Sequence, residues 1–175
     1  MKLTWFGGRT LRIYAGGEII VIHPDSAPTT IDRNELLSAA DRLIDPNQDS
    51  IPRIDPAEWR PRPAARLIDG PRSTEIVRIA DSTLLISAAC EPPLVLLGEG
   101  DSPRFGRWAD GAVMILMSAR ESLVAEATVL LDVARPRLIV LALDEQTLDT
   151  VVGELGEHLQ GVGLVSLEPG LALEV

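Results

Sequence analysis

Two glycine pairs near the amino terminus constrain this chain more than any other feature. Gly7-Gly8 and Gly16-Gly17 divide residues 2–24, KLTWFGGRTLRIYAGGEIIVIHP, into three apolar runs at 3–6, 11–14 and 19–22. Short runs rich in branched and aromatic side chains, punctuated by glycine, predict strands joined by tight turns. In the second run Leu11, Ile13 and Ala15 alternate with Arg12 and Tyr14, so one face is expected to be buried. Ile19-Ile20-Val21-Ile22 is apolar on both faces and is expected to lie between two layers. The chain therefore opens as a β-meander whose third strand runs into His23-Pro24-Asp25.

Downstream, the periodicity moves between that of strands and that of helices. Asp32 and the threonines before it are capping candidates for a short helix over 33–40, and Arg42-Leu43-Ile44 predicts a brief strand ending at Asp45-Pro46. Residues 46–63 carry five prolines, with a turn of helix expected near 57–59. An irregular stretch of that length either lines a site or crosses the surface, here with Trp59 as its anchor. Strands are expected at 65–68, 75–79, 83–87, 93–97, 112–117 and 138–143, with turns at Asp69-Gly70 and residues 80–82. A helix begins after Ser118, read as its N-cap with Glu121 completing a capping box, and Leu123, Val124, Ala127, Leu130 and Leu131 recur at the helical period. A second helix is expected over 146–159, with Leu148, Val151, Val152, Leu155 and Leu159 on one side, and strands at 163–167 and 171–174 close the chain. Hairpins first, then strand–helix alternation, predict an α+β fold with helices outside two sheets. At 175 residues, a single domain spanning 1–175 is expected.

Composition excludes several partners. The net charge of −10 repels nucleic acid and anionic membrane surfaces, and no apolar run approaches the roughly 20 residues that span a bilayer. The amino terminus has one lysine and then a strand pattern, without a small-residue cleavage site. The one cysteine, Cys90, follows an apolar strand and is expected to be a buried, inert thiol. A cytoplasmic protein with no nucleic-acid or membrane partner is expected; a homo-oligomer is left open.

The meander, its glycine turn and the buried strand leading to a D-P-like exit resemble the start of the metallo-β-lactamase fold. The likeness is to the small branch containing the ascorbate-6-phosphate lactonase-like hydrolases, whose chains begin in the style MKLTWLGHAT. It implies a four-layer αββα sandwich, here truncated, and in active members a pair of zinc or manganese ions held mainly by histidines. Carried across, the resemblance sets Gly8 where that branch has histidine and His23 where it has aspartate. Its H-x-H-x-D-H motif falls on Asp45-Pro46-Asn47-Gln48-Asp49-Ser50, so only Asp49 is kept. A further histidine would fall near residues 88–90 and another near Leu143, where none stands. The bridging aspartate, in a G-D-T pattern, corresponds to Asp101 in Gly100-Asp101-Ser102.

The chain has two histidines, His23 and His158, and His158 is expected to face solvent. Catalytic zinc usually takes three or more protein ligands drawn from imidazole, thiolate and carboxylate, so a histidine-rich pair of ions is out of reach. The candidate site is thus degenerate: His23, Asp25, Asp45, Asn47, Asp49 and Asp101, with no cofactor expected. Three readings follow. The first is a non-catalytic pseudoenzyme with a binding or regulatory role. The second is a divergent metal-dependent hydrolase with oxygen ligands around Asp49 and Asp101, since carboxylate clusters suit magnesium, calcium or manganese. The third is a structural or assembly subunit.

Overall fold

The computed structural model describes residues 1–61, 74–118 and 120–175, without the side chains at 120 and 121. The strand expected at 65–68, the turn at Asp69-Gly70 and the capping role of Glu121 lie outside the described residues. The architecture is α+β, with two sheets and three α-helices among the described residues.

The meander forms as its glycines dictate. Strands β1 (Lys2–Trp5), β2 (Leu11–Ala15) and β3 (Glu18–Ile22) are antiparallel neighbours. Gly7, Gly8, Gly16 and Gly17 all take positive φ in the two turns, the region where side-chain-bearing residues are strained. Ile20, Val21 and Ile22 are fully buried, as expected of a strand covered on both faces. β4 (Arg42–Ile44) adds parallel to β3, and β11 (Ala172–Glu174) adds antiparallel to β1, giving the order β11-β1-β2-β3-β4. Between β3 and β4, helix α1 (Arg33–Leu37) starts at Asp32, whose side chain accepts from Asn34 N at 2.8 Å. It stops short of the expected residue 40. Ala39 turns left-handed (φ 53°), which lets Asp41 meet the start of β3: its N–H donates to Ile19 O and its carboxylate accepts from Ile19 N, both at 2.8 Å.

The second sheet takes the middle and end of the chain. Its strands are β5 (Glu75–Arg78), β6 (Leu84–Ser87), β7 (Leu94–Leu97), β8 (Val113–Leu116), β9 (Leu138–Leu141) and β10 (Gly163–Ser166), in the order β10-β9-β8-β7-β6-β5. β5, β6 and β7 run antiparallel; β7 through β10 are parallel. Helix α2 (Arg120–Val133) carries β8 to β9, and α3 (Glu145–Leu155) carries β9 to β10. Asp144 caps α3 by accepting from Thr147 N. The expected extension of α3 to residue 159 does not form: Gln160 (φ 46°) and Gly161 (φ 93°) reverse the chain, and Leu159 packs inward from that turn instead.

The period-2 alternation divides the interior into two cores. Leu3, Leu11, Ile13, Ile20 and Ile22 of the small sheet meet Ile76, Leu84, Ile86, Leu94, Leu96, Val113 and Ile115 of the large one in a single apolar cluster. The opposite face of the large sheet, with Leu85, Val95, Met114, Leu116 and Ile139, packs under Leu123, Ala127, Leu130 and Leu131 of α2 and Val151 and Leu155 of α3. Burying a side chain of this size contributes about 2 kcal/mol, so these faces dominate the energetics.

The proline-rich segment is pinned as far as residue 61. Arg78 donates to the carbonyls of Pro46 (2.6 Å) and Gln48 (2.5 Å), and Trp108 Nε1 donates to Pro56 O at 2.7 Å. Trp59 packs edge-on against Trp108, ring centroids 4.9 Å apart. The expectation for Cys90 is corrected: β6 ends at Ser87, and Cys90 sits exposed in the following turn with φ 65°. No helix among the described residues is long and apolar enough to cross a membrane.

Candidate functional site

Strands from both sheets end around one cavity of about 260 Å³. β3 delivers His23, β4 delivers Pro46, β7 leads to Gly98 and Glu99, and β8 leads to Met117 and Ser118. The β1–β2 turn adds Arg9 and the β5–β6 turn adds Ser82. Leu96 and Met117, both on the face shared by the two sheets, supply apolar wall.

His23 is held by its backbone. It adopts a left-handed conformation (φ 48°, ψ 55°); its N–H donates to Ile44 O at 2.9 Å, and its carbonyl accepts from the buried Thr10 hydroxyl at 2.7 Å. Its Nδ1 stands 3.9 Å from Asp45 Oδ1. Burial pushes the imidazole pKa below its ordinary 6.5; Asp45 opposes this by attraction, and Arg9 adds to it by repulsion. His23 lines the cavity, and above its lowered pKa one ring nitrogen is able to donate and the other to accept.

The other carboxylates near β3 and β4 serve their own loops. Asp45 Oδ1 accepts from Asn47 N (2.9 Å) and Nδ2 (3.2 Å), an Asx-turn that explains both residues locally. Asp25 is largely exposed and pairs with Arg33 at 2.6 Å. Asp49 lies exposed in the turn before Ile51. Glycine at position 8 has a steric cause, since an added Cβ would lie 2.7 Å from Ser26 O.

Asp101 is placed by the large sheet. One oxygen, Oδ2, accepts from Ser82 N (2.8 Å), Ser82 Oγ (3.1 Å) and Thr83 Oγ1 (2.8 Å). Thr83 Oγ1 in turn accepts from Gly98 N at 2.9 Å. The carboxylate thus ties the β5–β6 turn to the end of β7. The two segments touch so closely that a Cβ on Gly98 would lie 2.7 Å from the Ser82 carbonyl carbon. Beside it, Glu126 of α2 accepts from the Ser118 hydroxyl (2.5 Å) and Gly100 N (2.8 Å). The Ser118 hydroxyl thus donates to Glu126, a long-side-chain partner additional to the capping role expected of its sequence position.

Of the six candidate residues, His23 lines the cavity and Asp45 stands beside it; Asp25, Asn47, Asp49 and Asp101 do not line it. Among the described residues, no group of three or more His, Cys, Asp or Glu side chains is arranged to hold a metal ion. The donor set does not fit the ion pair that the resemblance implies, because Asp101 is engaged by three donors and Asp25 by Arg33. Arg9, Ser82, Glu99 and Glu126 were not legible as site residues. Arg9 follows a glycine pair and reads as turn chemistry, and the remaining three come from distant segments.

No family model matches the chain, and no curated protein matches it. A solved structure, the isothiocyanate hydrolase from Delia radicum gut bacteria, is similar over 99% of each chain with a TM-score of 0.59 and 12% sequence identity. At that identity the likeness concerns the fold alone. The metallo-β-lactamase resemblance is thereby corrected: the similar structure is named for isothiocyanate hydrolysis, and no family model supports the assignment. The features that prompted it, glycine turns and a buried strand with a proline at its exit, serve many β-proteins, and the histidines that would have been specific are absent. What the comparison supports is a shared fold with that hydrolase, across the whole length of both chains.

Proposed function

We propose that this protein is a non-catalytic small-molecule binder that uses the cavity at the strand ends. The observation that carries the reading is the contrast at Asp101: the carboxylate best suited to metal chemistry is bound by Ser82 and Thr83, while the cavity beside it keeps Arg9 and a neutral His23. A concave apolar wall with a few converging polar groups is what small-ligand sites require. In this reading the chain is one domain over 1–175, a four-layer αββα sandwich cut short on the small-sheet side. Supporting that outer layer, Leu36 of α1 is buried, and Arg12 of β2 donates to the α1 carbonyls of Glu35 and Leu36.

A second reading has one observation in its favour, the fold shared with an isothiocyanate hydrolase. It is a divergent metal-dependent hydrolase with oxygen ligands around Asp49 and Asp101, acting on a small electrophile of the isothiocyanate kind. One set of measurements separates the two. Protein purified without chelator is analysed for metal, assayed with benzyl isothiocyanate, and titrated with benzamide and benzoate by amide-resolved NMR. The binder reading expects shifts centred on His23, Gly98 and Met117 with either compound, and no turnover. Stoichiometric metal together with turnover that Asp101→Asn abolishes would replace it with the second reading.

A further inference from the structure

We infer that the cavity takes a small organic anion, with a carboxylate or similar oxyanion on Arg9 at the mouth and an apolar body against Leu96 and Met117. This deepens the binding reading above and rests on it.

The mouth is spanned by one ion pair. Arg9, on the β1–β2 turn of the small sheet, meets Glu99, just beyond β7 of the large sheet, at 3.0 Å. Both residues line the cavity. Their side chains are about half exposed, 53% and 47%, so solvent screens the pair and it adds little to stability. An arginine held this weakly is available to a better-placed partner. Its planar fork binds a carboxylate through two parallel hydrogen bonds, a geometry that lysine cannot reproduce.

The rest of the cavity sets the remainder of the ligand. Behind the mouth, Leu96 is buried at 3% exposure and Met117 is half-buried, so the wall favours hydrocarbon over a second charge. His23 contributes hydrogen bonding without a second cation, which leaves one positive group for one oxyanion. A volume of about 260 Å³ admits a fragment-sized body. With a net charge of −10, the chain as a whole repels anions, so selection rests on this one arginine. Glu99 occupies the place on Arg9 that the oxyanion takes. The pair is then a self-occupied anion site that a ligand must open.

The test compares benzoate with benzamide, which share shape and differ in charge, and repeats the comparison with hexanoate and hexanamide. Each is titrated into the full chain by amide-resolved NMR. The acid is expected to bind more tightly than the amide. Arg9→Gln should erase that preference, and Glu99→Gln, by freeing Arg9, should tighten acid binding about five-fold. Both substitutions fall on half-exposed side chains, so folding is unaffected and thermal unfolding checks it directly. Equal binding of acid and amide, or a preference that survives Arg9→Gln, overturns the anion inference and leaves the binding reading standing. If neither compound shifts the residues around the cavity, both fall together.

Discussion

The candidate residues fall on two sides of one cavity, and the two sides use the same chemistry differently. On the small-sheet side, the candidate carboxylates act within eight residues: Asp45 on Asn47 and Asp25 on Arg33. On the large-sheet side they act across the fold: Asp101 on Ser82 and Thr83, 19 and 18 positions away, and Glu126 on Gly100, 26 positions away. Local bonds satisfy a turn and could be lost without moving a strand. Long-range bonds join the β5–β6 turn, the end of β7 and α2, so they hold one wall of the cavity. An aspartate's identity therefore says little about its importance here; the sequence separation of its donors says more.

The contrast predicts a graded series of effects. The largest belongs to Gly98→Ala, because the new methyl group would meet backbone atoms of Ser82, which cannot yield as a flexible side chain would. A loss of about 3 kcal/mol is expected from such overpacking, read as a lower urea midpoint; an unchanged midpoint would mean that the two segments are not in close contact. Next comes Asp101→Ala, which leaves three donors without their acceptor and should cost about 2 kcal/mol. If Asp101→Ala proved no worse than Asp49→Ala, the distinction between the two sides would fail.

A smaller effect comes from the small-sheet side through His23. Its folded pKa lies below 6.5, so on acidification the unfolded chain takes up this proton first. The sign follows: the contribution is intact above about pH 6.5, falls as pH drops toward the folded pKa, and changes no further below it. It is measured as the pH slope of unfolding free energy in wild type and in His23→Asn, since asparagine tolerates the left-handed backbone. An NMR titration midpoint above 6.5 would reverse the prediction. Smallest of all, Asp25→Ala and Asp49→Ala should each move stability by no more than about 0.5 kcal/mol, within the scatter of replicate urea curves.

Much of the fold is legible in the order of residues. The meander, the both-faces-buried β3 and the inward face of α2 follow from apolar spacing, because burial is a property that each strand or helix writes into its own residues; on α3, Val151 and Leu155 turn inward as expected while Val152 is exposed. The errors fall where the controlling contact is remote. α1 ends early because Asp41 reaches the start of β3. Cys90 is exposed because the turn after β6 takes it out of the core. Glu126, whose carboxylate accepts from the Ser118 hydroxyl, is a residue whose importance no short motif announces.

The amino-acid order alone determined which runs become strands, where glycine must turn the chain, and that histidines are too few for a histidine-built metal pair; each of these depends on residue type and near neighbours. Tertiary structure alone decided that Asp101 belongs to the scaffold and that Arg9 faces Glu99 across 90 positions of sequence at the cavity mouth. Such pairings arise only when two sheets dock on a shared apolar core, and hydrophobic patterning fixes which faces meet without specifying which polar side chains come to rest beside one another.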